Sequence, residues 1–211
     1  MNSRLRVYPD TNVCIPYYQS DLLFYLATEG FFHVLWTDYL RNEVIRVVAR
    51  RAQKVGYDRS VQAARSQWAA IAQYFAQYRI DPLDYAPWLE DLTGPDPDDY
   101  PHAAAAICGH ADALLTQDIR GFPVGDLAPH GIQVQSLDAF LVAMSAGLRG
   151  EVRQVLRQRA AQFQRPEMSY QRYVQVLSQT LPSFVDQITR AGQDEGREIG
   201  RIFASGYCEH A

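Results

Sequence analysis

Two aspartates follow directly on runs of β-prone residues. Asp10 comes after Leu5–Tyr8, and Asp118 comes after Ala113–Thr116. If both runs are strands of one parallel sheet, the two carboxylates lie at strand carboxyl ends, where α/β sheets gather their ligand sites. Taken alone, either aspartate is more simply explained as a helix N-cap or a turn residue. A shared chemical site therefore requires further acids nearby.

Glu43 is an acid of this kind. Thr37 is a suitable N-cap for a helix running to about Ala52, in which Leu40 and Val44 define the buried stripe. At about 100° per residue, Glu43 falls on the edge of that stripe instead of opposite it. A carboxylate in such a position needs a paired charge or a metal ion.

Two arginines share the flank of Glu43, at three and seven residues beyond it. Arg46 could form a surface ion pair with Glu43, worth a few tenths of a kcal/mol. Alternatively, Arg46 and Arg50 could receive RNA phosphates at the rim of a site, since guanidinium groups fork onto phosphate oxygens. The net charge of −4 divides into +4 for residues 1–80, −9 for residues 81–150 and +1 for residues 151–211. The acidic middle segment is a poor surface for a polyanion unless cations intervene.

The remaining acidic position lies in the run Asp-Pro-Asp-Asp before Ala103–Ala106. Asp98 is a suitable N-cap, which would place Asp99 in the first turn of the following helix. Pro101 is tolerated there because first-turn N–H groups lack intrahelical partners. Either Asp98 or Asp99 could point into a site, and the spacing to the alanines favours Asp99.

Four converging carboxylates predict a bound metal ion. Two carboxylates about 5 Å apart repel each other by about 3 kcal/mol at an effective dielectric near 20, so the four cannot all stay ionised without cations. Oxygen ligands with no cysteine and no convincing histidine partner favour Mg²⁺ or Mn²⁺ over Zn²⁺. The three cysteines are far apart, which indicates neither a zinc site nor a disulfide framework. Because no serine or cysteine triad is evident, we expect metal-activated water to be the attacking group.

The elements that must position these acids alternate along the chain, which predicts an α/β fold with a parallel sheet covered on both faces. Pairing of the first strand is expected to stop at Pro9, which cannot donate a hydrogen bond. Further strands are predicted at Phe31–Trp36 and Ile132–Val134. The predicted helices are Asn12–Ala27, Thr37 to about Ala52, Arg59–Tyr78, His102–Cys108 and Leu137–Met144.

The length and composition indicate one globular core with a small appendage. The chain has 211 residues, of which 47% are hydrophobic. We expect the main domain over residues 1–147 and a helical C-terminal extension over residues 148–211. No apolar run approaches the roughly 18 to 20 residues that cross a bilayer, and the first residues lack a signal-peptide pattern. The predicted location is the cytoplasm, with no membrane partner.

Four segments together resemble the PIN-domain family, and more narrowly its VapC-like ribonuclease toxins. They are Val-Tyr-Pro-Asp-Thr-Asn-Val around Asp10, Leu-Trp-Thr-Asp-Tyr-Leu-Arg-Asn-Glu-Val ending at Glu43, Asp-Pro-Asp-Asp with the alanine run, and Leu-Leu-Thr-Gln-Asp-Ile-Arg-Gly-Phe-Pro around Asp118. The resemblance covers about residues 4–145. One departure is Pro9, which replaces the apolar residue usual before the first acid.

The resemblance implies a three-layer α/β/α fold and cleavage of single-stranded RNA. It assigns catalytic acids and metal ligands to Asp10, Asp99 and Asp118, with Glu43 assisting. The polar residues that support the acids in this family are matched here by Thr116 and by either Thr11 or Asn12.

The leading hypothesis is a Mg²⁺- or Mn²⁺-dependent endoribonuclease, the toxin of a type II toxin-antitoxin pair. Its expected partners are the RNA substrate and a cognate antitoxin protein, and a homodimer is left open. The alternative is a PIN-fold module that binds RNA or protein without cutting. A phosphotransfer domain with a phosphorylated aspartate ranks low, because that chemistry wants a lysine near the site and Lys54 is the only lysine.

Overall fold

The computed structural model describes residues 4–55, 59–164 and 167–190. Its six strands are β1 (Arg6–Pro9), β2 (His33–Val34), β3 (Trp36–Thr37), β4 (Arg79–Ile80), β5 (Ala113–Leu115) and β6 (Gln133–Gln135). The α-helices are α1 (Thr11–Cys14), α2 (Tyr17–Thr28), α3 (Asp38–Val55), α4 (Arg59–Tyr74), α5 (Pro82–Tyr85), α6 (Tyr100–Cys108), α7 (Val124–Leu127), α8 (Leu137–Met144), α9 (Arg149–Gln162) and α10 (Tyr170–Leu177). Residues 182–190 are also helical.

The central sheet has four parallel strands in the order β2-β1-β5-β6. Strands β3 and β4 form a separate parallel pair. Helices connect the strands that pair with each other, as parallel pairing requires. This confirms the predicted α/β class, with a central parallel sheet and C-terminal helices.

The prediction that strand pairing stops at Pro9 is confirmed, because β1 ends at Pro9 and its register with β5 includes no residue beyond Pro9. Pro9 is in register with Leu115, and the N–H of Asp10 donates to the Leu115 carbonyl at 2.8 Å. Proline removes only its own donor, and the next residue along the chain supplies the bond. This bond fixes Asp10 directly at the end of the sheet.

Three boundaries differ from the predicted ones. The predicted helix Asn12–Ala27 is divided into α1 and α2, because Pro16 adopts an extended conformation at the N-cap of α2. The predicted strand Phe31–Trp36 is divided between the two sheets at Leu35. The helix predicted to end at Tyr78 ends at Tyr74 and is followed by a 3-10 turn.

The helix N-terminus near Asp99 also differs in detail. Asp99 itself is the N-cap residue of α6, without a side-chain capping bond, and Asp96 caps the 3-10 turn Pro97–Asp99 by accepting from the N–H of Asp98. The prediction that Asp98 caps α6 was therefore wrong, because the extra turn moves the helix start by one residue. The predicted N-cap Thr37 is confirmed, since its hydroxyl accepts from the N–H of Leu40 at 3.0 Å.

The core between the sheet and its helices is apolar and tightly filled. The four alanines Ala103–Ala106 are completely buried, which lets α6 approach the sheet closely. Burying each large side chain contributes roughly 1.5–3 kcal/mol relative to exposure. The largest fully buried side chains near the sheet and helices α2 to α4 are Tyr8, Leu22, Leu23, Leu26, Phe32, Leu35, Trp36, Leu40, Trp68 and Leu114.

The chain divides into two compact units, Met1–Phe140 and Leu141–Ala211. In the second unit, Gln187 donates to the Val142 carbonyl and the Ser145 hydroxyl, and Arg153 donates to the Ile188 carbonyl. The predicted assignment of a nuclease domain to 1–147 and an extension to 148–211 stays a prediction. Residues 165–166 and 191–211 of that extension lie outside the described residues. None of the helices in the described part of the chain is long and apolar enough to cross a membrane.

Candidate active site

Asp10 lies at the carboxyl end of β1 and begins helix α1. Its side chain accepts a hydrogen bond from the N–H of Thr11, so it is the N-cap of that helix. The residue is only 5% exposed. Asp10 can therefore be both the N-cap of α1 and a residue of the site. The capping bond fixes one carboxylate oxygen, and the side chain lies at the edge of the sheet.

Thr116, at the end of β5, connects three polar groups of this edge. Its hydroxyl donates to Asp10 Oδ2 at 3.0 Å and accepts from Asn12 Nδ2 and from the N–H of Asp118, each at 3.0 Å. Asn12 in turn accepts from the N–H of Gln117 at 2.9 Å. One buried hydroxyl thus holds the ends of β1 and β5, and the two aspartates that follow them, in a fixed relation.

Glu43 reaches this edge from helix α3. Its Oε2 accepts from the Thr11 hydroxyl at 2.5 Å and lies 2.9 Å from His102 Nε2, while its Oε1 accepts from Arg46 Nη2 at 3.0 Å. The ion pair with Arg46 considered from the sequence is present. Glu43 nevertheless also reaches the site, because Oε1 contacts Arg46 while Oε2 contacts Thr11 and His102.

His102 is the site residue that the sequence reasoning missed. It is 1% exposed, its Nε2 lies 2.9 Å from Glu43 Oε2 and 3.6 Å from Asp10 Oδ1, and its Nδ1 lies 3.2 Å from the Tyr8 hydroxyl. The expectation that no histidine joins the metal ligands stays a prediction, but the contact of His102 with Glu43 was not foreseen. A signal was available, because His102 lies three residues after Asp99 and residues so spaced share one helix face.

Asp99 and Asp118 face each other across Gly121. A Cβ built on Gly121 would lie 2.9 Å from Asp99 Oδ2 and 3.1 Å from Asp118 Oδ2, so the two oxygens are at most 6.0 Å apart, the sum of these distances. Any larger residue at 121 would crowd both carboxylates. Asp98 is exposed, and its backbone carbonyl accepts from the Tyr39 hydroxyl. Of the two alternatives, Asp99 is the one that lies beside another of the four acids.

The electrostatics of the site divide its acids into two kinds. Burial and the charges of Asp10, Asp96 and Asp118 raise the pKa of Asp99 to about 6, although His102 opposes the shift. Burial also raises the pKa of Asp10, against the lowering effects of His102 and of its hydrogen bonds. The hydrogen bond from His102 lowers the pKa of Glu43 to about 2, although burial opposes the shift. Glu43 is thus neutralised by the protein, whereas Asp99 is not.

The donors suit a hard divalent ion in type. Asp10, Asp99 and Asp118 offer carboxylate oxygens, which Mg²⁺ and Mn²⁺ prefer, and the space beside Gly121 lies between two of them. Within residues 4–55, 59–164 and 167–190, no group of three or more His, Cys, Asp or Glu side chains is placed so that it could hold a metal ion. The type of donor therefore fits, while the side-chain positions in this structure do not bring three of these donors together around one point.

The two arginines predicted to contact RNA lie on the outer side of α3. The Arg46 side chain is 60% exposed despite its bond to Glu43, and Arg50 is exposed. Arg50 lines a groove together with Val47, Arg51, Gln53 and Lys54. Both arginines are accessible to a polyanion, and only Arg46 directly contacts a residue of the acidic cluster.

The fold and the site define an α/β protein with an acidic centre at the carboxyl edge of a parallel sheet. A family model described as PIN domain matches residues 6–120, which is 115 of the 211 residues. The chain belongs to the PIN-domain family. Proteins of this family are generally nucleases and typically use divalent metal ions. No curated protein and no solved structure matches the chain significantly.

Proposed function

We propose that this chain is a metal-dependent endoribonuclease that hydrolyses RNA phosphodiester bonds, and that it acts as the toxin of a type II toxin-antitoxin pair. The observation that carries the catalytic part is the approach of Asp99 to Asp118 beside Asp10, where no Lys or Arg side chain of the described residues forms an ion pair with Asp99. Charge of this kind is stabilised by a cation. The toxin subtype rests on the resemblance of the four sequence segments.

In this proposal Asp10, Asp99 and Asp118 hold the metal ion, with Glu43 in support. A bound divalent ion supplies activation of water and neutralises charge that develops on the phosphoryl oxygens. Thr116 and Asn12 keep Asp10 and Asp118 in register, and Thr11 links Asp10 to Glu43. The closely packed helix α6 fixes the direction of Asp99.

The decisive experiment is incubation of the purified protein with unstructured and structured RNAs. We expect cleavage of the unstructured RNA with Mn²⁺ or Mg²⁺ and no cleavage with EDTA, because the carboxylates then lack their counterion. Asp10→Asn serves as the matched control for a contaminating nuclease and should be inactive with metal present. RNA that is bound but not cut under all conditions would favour the alternative, a PIN-fold binding module.

Arg46 and Arg50 are proposed to contact the RNA backbone. Replacing both with glutamine should weaken binding of single-stranded RNA and reduce the slope of log K against log salt by about 1.4, since each phosphate contact contributes about 0.7 on single strands. The measurement is fluorescence anisotropy on Asp99→Asn protein, which should not consume the RNA. Replacing Arg149 and Arg157, which lie in the second compact unit, is the charge-matched control. An unaltered slope for the Arg46 and Arg50 variant would identify them as ordinary solvated residues.

The proposed antitoxin would place a basic residue among the carboxylates and a helix or extended segment on a neighbouring groove. Such a partner would satisfy Asp99 electrostatically in the same way as a cation. Co-expression with the product of the adjacent reading frame should give a complex that neither cleaves RNA nor binds Mn²⁺. Size-exclusion chromatography of the free chain tests the homodimer that the sequence left open.

A further inference from the structure

We infer that Glu43 does not bind the metal ion and that Glu43 and His102 together are positioning residues for Asp10. The inference rests on the proposed function and concerns which of the four acids bind the ion and which positions another acid. It assigns ion binding to Asp10, Asp99 and Asp118, and it assigns a role to a histidine that neither the sequence reasoning nor the family match singles out.

The hydrogen bonds of Glu43 are the first observation. Its Oε2 already accepts from the Thr11 hydroxyl and faces His102 Nε2, and its Oε1 accepts from Arg46. A carboxylate has about four lone-pair directions, so three of them are already used. The one direction left is on Oε1, the oxygen bonded to the Arg46 guanidinium, so an ion bound there would lie beside a positive charge.

Asp99 and Asp118 provide the contrast. The Asp99 carboxylate accepts no hydrogen bond from the described residues, and one oxygen of Asp118 accepts only a long bond of 3.3 Å from the N–H of Gly121. Their Oδ2 atoms share the space beside Gly121. Asp99 and Asp118 thus offer the least engaged oxygens to an ion. Asp10 accepts one hydrogen bond on each oxygen, which leaves one lone pair on each. Glu43 is the most fully engaged of the four, with two partners on Oε2 and Arg46 on Oε1.

His102 is itself fixed from the opposite side. Its Nδ1 lies 3.2 Å from the Tyr8 hydroxyl, which is 2.9 Å from the hydroxyl of Thr37, the N-cap of α3. The Tyr39 ring also meets the imidazole edge-on at 5.2 Å. A buried chain of contacts thus runs from the start of α3 through Tyr8 to His102, which leaves the imidazole a single orientation, with Nε2 toward Glu43.

The geometry also connects this pair to Asp10. His102 Nε2 lies 3.6 Å from Asp10 Oδ1, and Thr11, which donates its hydroxyl to Glu43, donates its N–H to Asp10. Glu43 and His102 therefore hold the first turn of α1, and through it the carboxylate of Asp10. Outer partners of this kind orient metal ligands without touching the ion.

The test is Mn²⁺ binding to the purified full-length protein, followed by electron paramagnetic resonance, together with RNA cleavage. We expect Glu43→Gln to bind Mn²⁺ within about threefold of the wild-type Kd, because glutamine keeps an acceptor for Thr11 and His102. Asp99→Asn should raise the Kd at least about tenfold, because a ligand is expected to matter at least as much as an outer partner, whose loss costs about 10- to 100-fold in metal affinity or activity. Glu90→Gln removes an exposed carboxylate outside the site and is the control for net charge.

His102 variants test the positioning role separately. His102→Leu removes the donor to Glu43 and should lower kcat about tenfold or more. Its Kd for Mn²⁺ should stay within about threefold of the wild-type value. His102→Gln returns an N–H donor to nearly the same place and should recover most of the lost kcat. If His102→Leu does not fold, the comparison of His102→Gln with Glu43→Gln carries the test, with both expected to retain Mn²⁺ affinity.

The outcomes separate this inference from the proposed function. A Glu43→Gln protein that loses Mn²⁺ as strongly as Asp99→Asn would overturn the inference and leave a metal-dependent nuclease standing. Equal cleavage defects in His102→Leu and His102→Gln would overturn the positioning role alone. A wild-type protein that binds no Mn²⁺ would overturn both.

Discussion

Asp99→Asn is expected to abolish RNA cleavage while making the metal-free protein more stable. We expect activity to fall by at least about 100-fold, because outer partners of metal ligands alone are worth 10- to 100-fold. At pH 8 the free energy of unfolding should rise by about 1 kcal/mol, after a discount for the solvent screening of this half-buried group. This corresponds to a Tm increase of about 2–4 °C for a chain of this size.

The stability gain from Asp99→Asn should depend on pH. The pKa of Asp99 is raised in the folded state to about 6 from its ordinary value of 3.8, so the folded protein holds that proton more tightly than the unfolded chain. The destabilisation from the charged form is therefore fully present above about pH 6, shrinks as the pH falls toward 3.8 and is absent below that. Thermal melts with EDTA at pH 4 and pH 8 measure the difference between wild type and variant.

Asp98→Asn is the matched control for this prediction. Asp98 is the adjacent acid and it is exposed. Its hydrogen bonds to described residues are made by the backbone, whose carbonyl accepts from the Tyr39 hydroxyl and whose N–H donates to Asp96. We expect its replacement to retain cleavage and to leave the melt nearly unchanged. If Asp98→Asn were inactive and Asp99→Asn active, the assignment of the third acid would have to be reversed.

Thr116→Val is expected to lower both stability and activity. The substitution keeps the shape of the side chain, but it removes one donor to Asp10 and one acceptor for Asn12 and for the N–H of Asp118. Unsatisfied buried polar groups cost about 1–3 kcal/mol each, and two of these bonds are only partly buried, so we expect a loss of about 2 kcal/mol. Cleavage should fall about 10- to 100-fold, as it does when outer partners of a metal site are lost.

Thr116→Ser distinguishes the contribution of the hydroxyl group from that of the methyl group. Serine keeps the hydroxyl at the same carbon and should retain most of the activity, while the loss of a fully buried methyl group costs roughly 1 kcal/mol. Urea unfolding and the rate of RNA cleavage are the two measurements. Equal cleavage rates in the serine and valine variants would mean that the hydroxyl does not align Asp10 with Asp118.

The class of fold could be predicted because it depends on patterns that are local in the chain. Short apolar runs alternate with amphipathic segments, and the strands and helices of the central sheet follow that alternation. The N-cap at Thr37 and the helix Leu137–Met144 agree with the structure for the same reason. The helix predicted over Asn12–Ala27 was wrong at Pro16, because its extended conformation between α1 and α2 divides the helix.

The geometry around Asp10, Glu43, Asp99 and Asp118 shows where sequence reasoning reached its limit. Strand ends and helix faces indicated that these acids lie near one edge of the sheet, because element type fixes direction. They could not indicate which acids are neutralised by the protein itself. Glu43 is held by Thr11, His102 and Arg46, whereas Asp99 keeps an unneutralised charge.

By itself, the sequence determined the α/β alternation, the order of the acidic segments and their attachment to strand ends and helices, because these follow from periodicity and local backbone chemistry. Only the tertiary structure decided that His102 meets Glu43 and that Asp99 meets Asp118 across Gly121. These contacts join residues 59 and 19 positions apart along the chain. Their distances depend on how closely α6 packs on the sheet, which is a property of the whole core and is not encoded in any one segment.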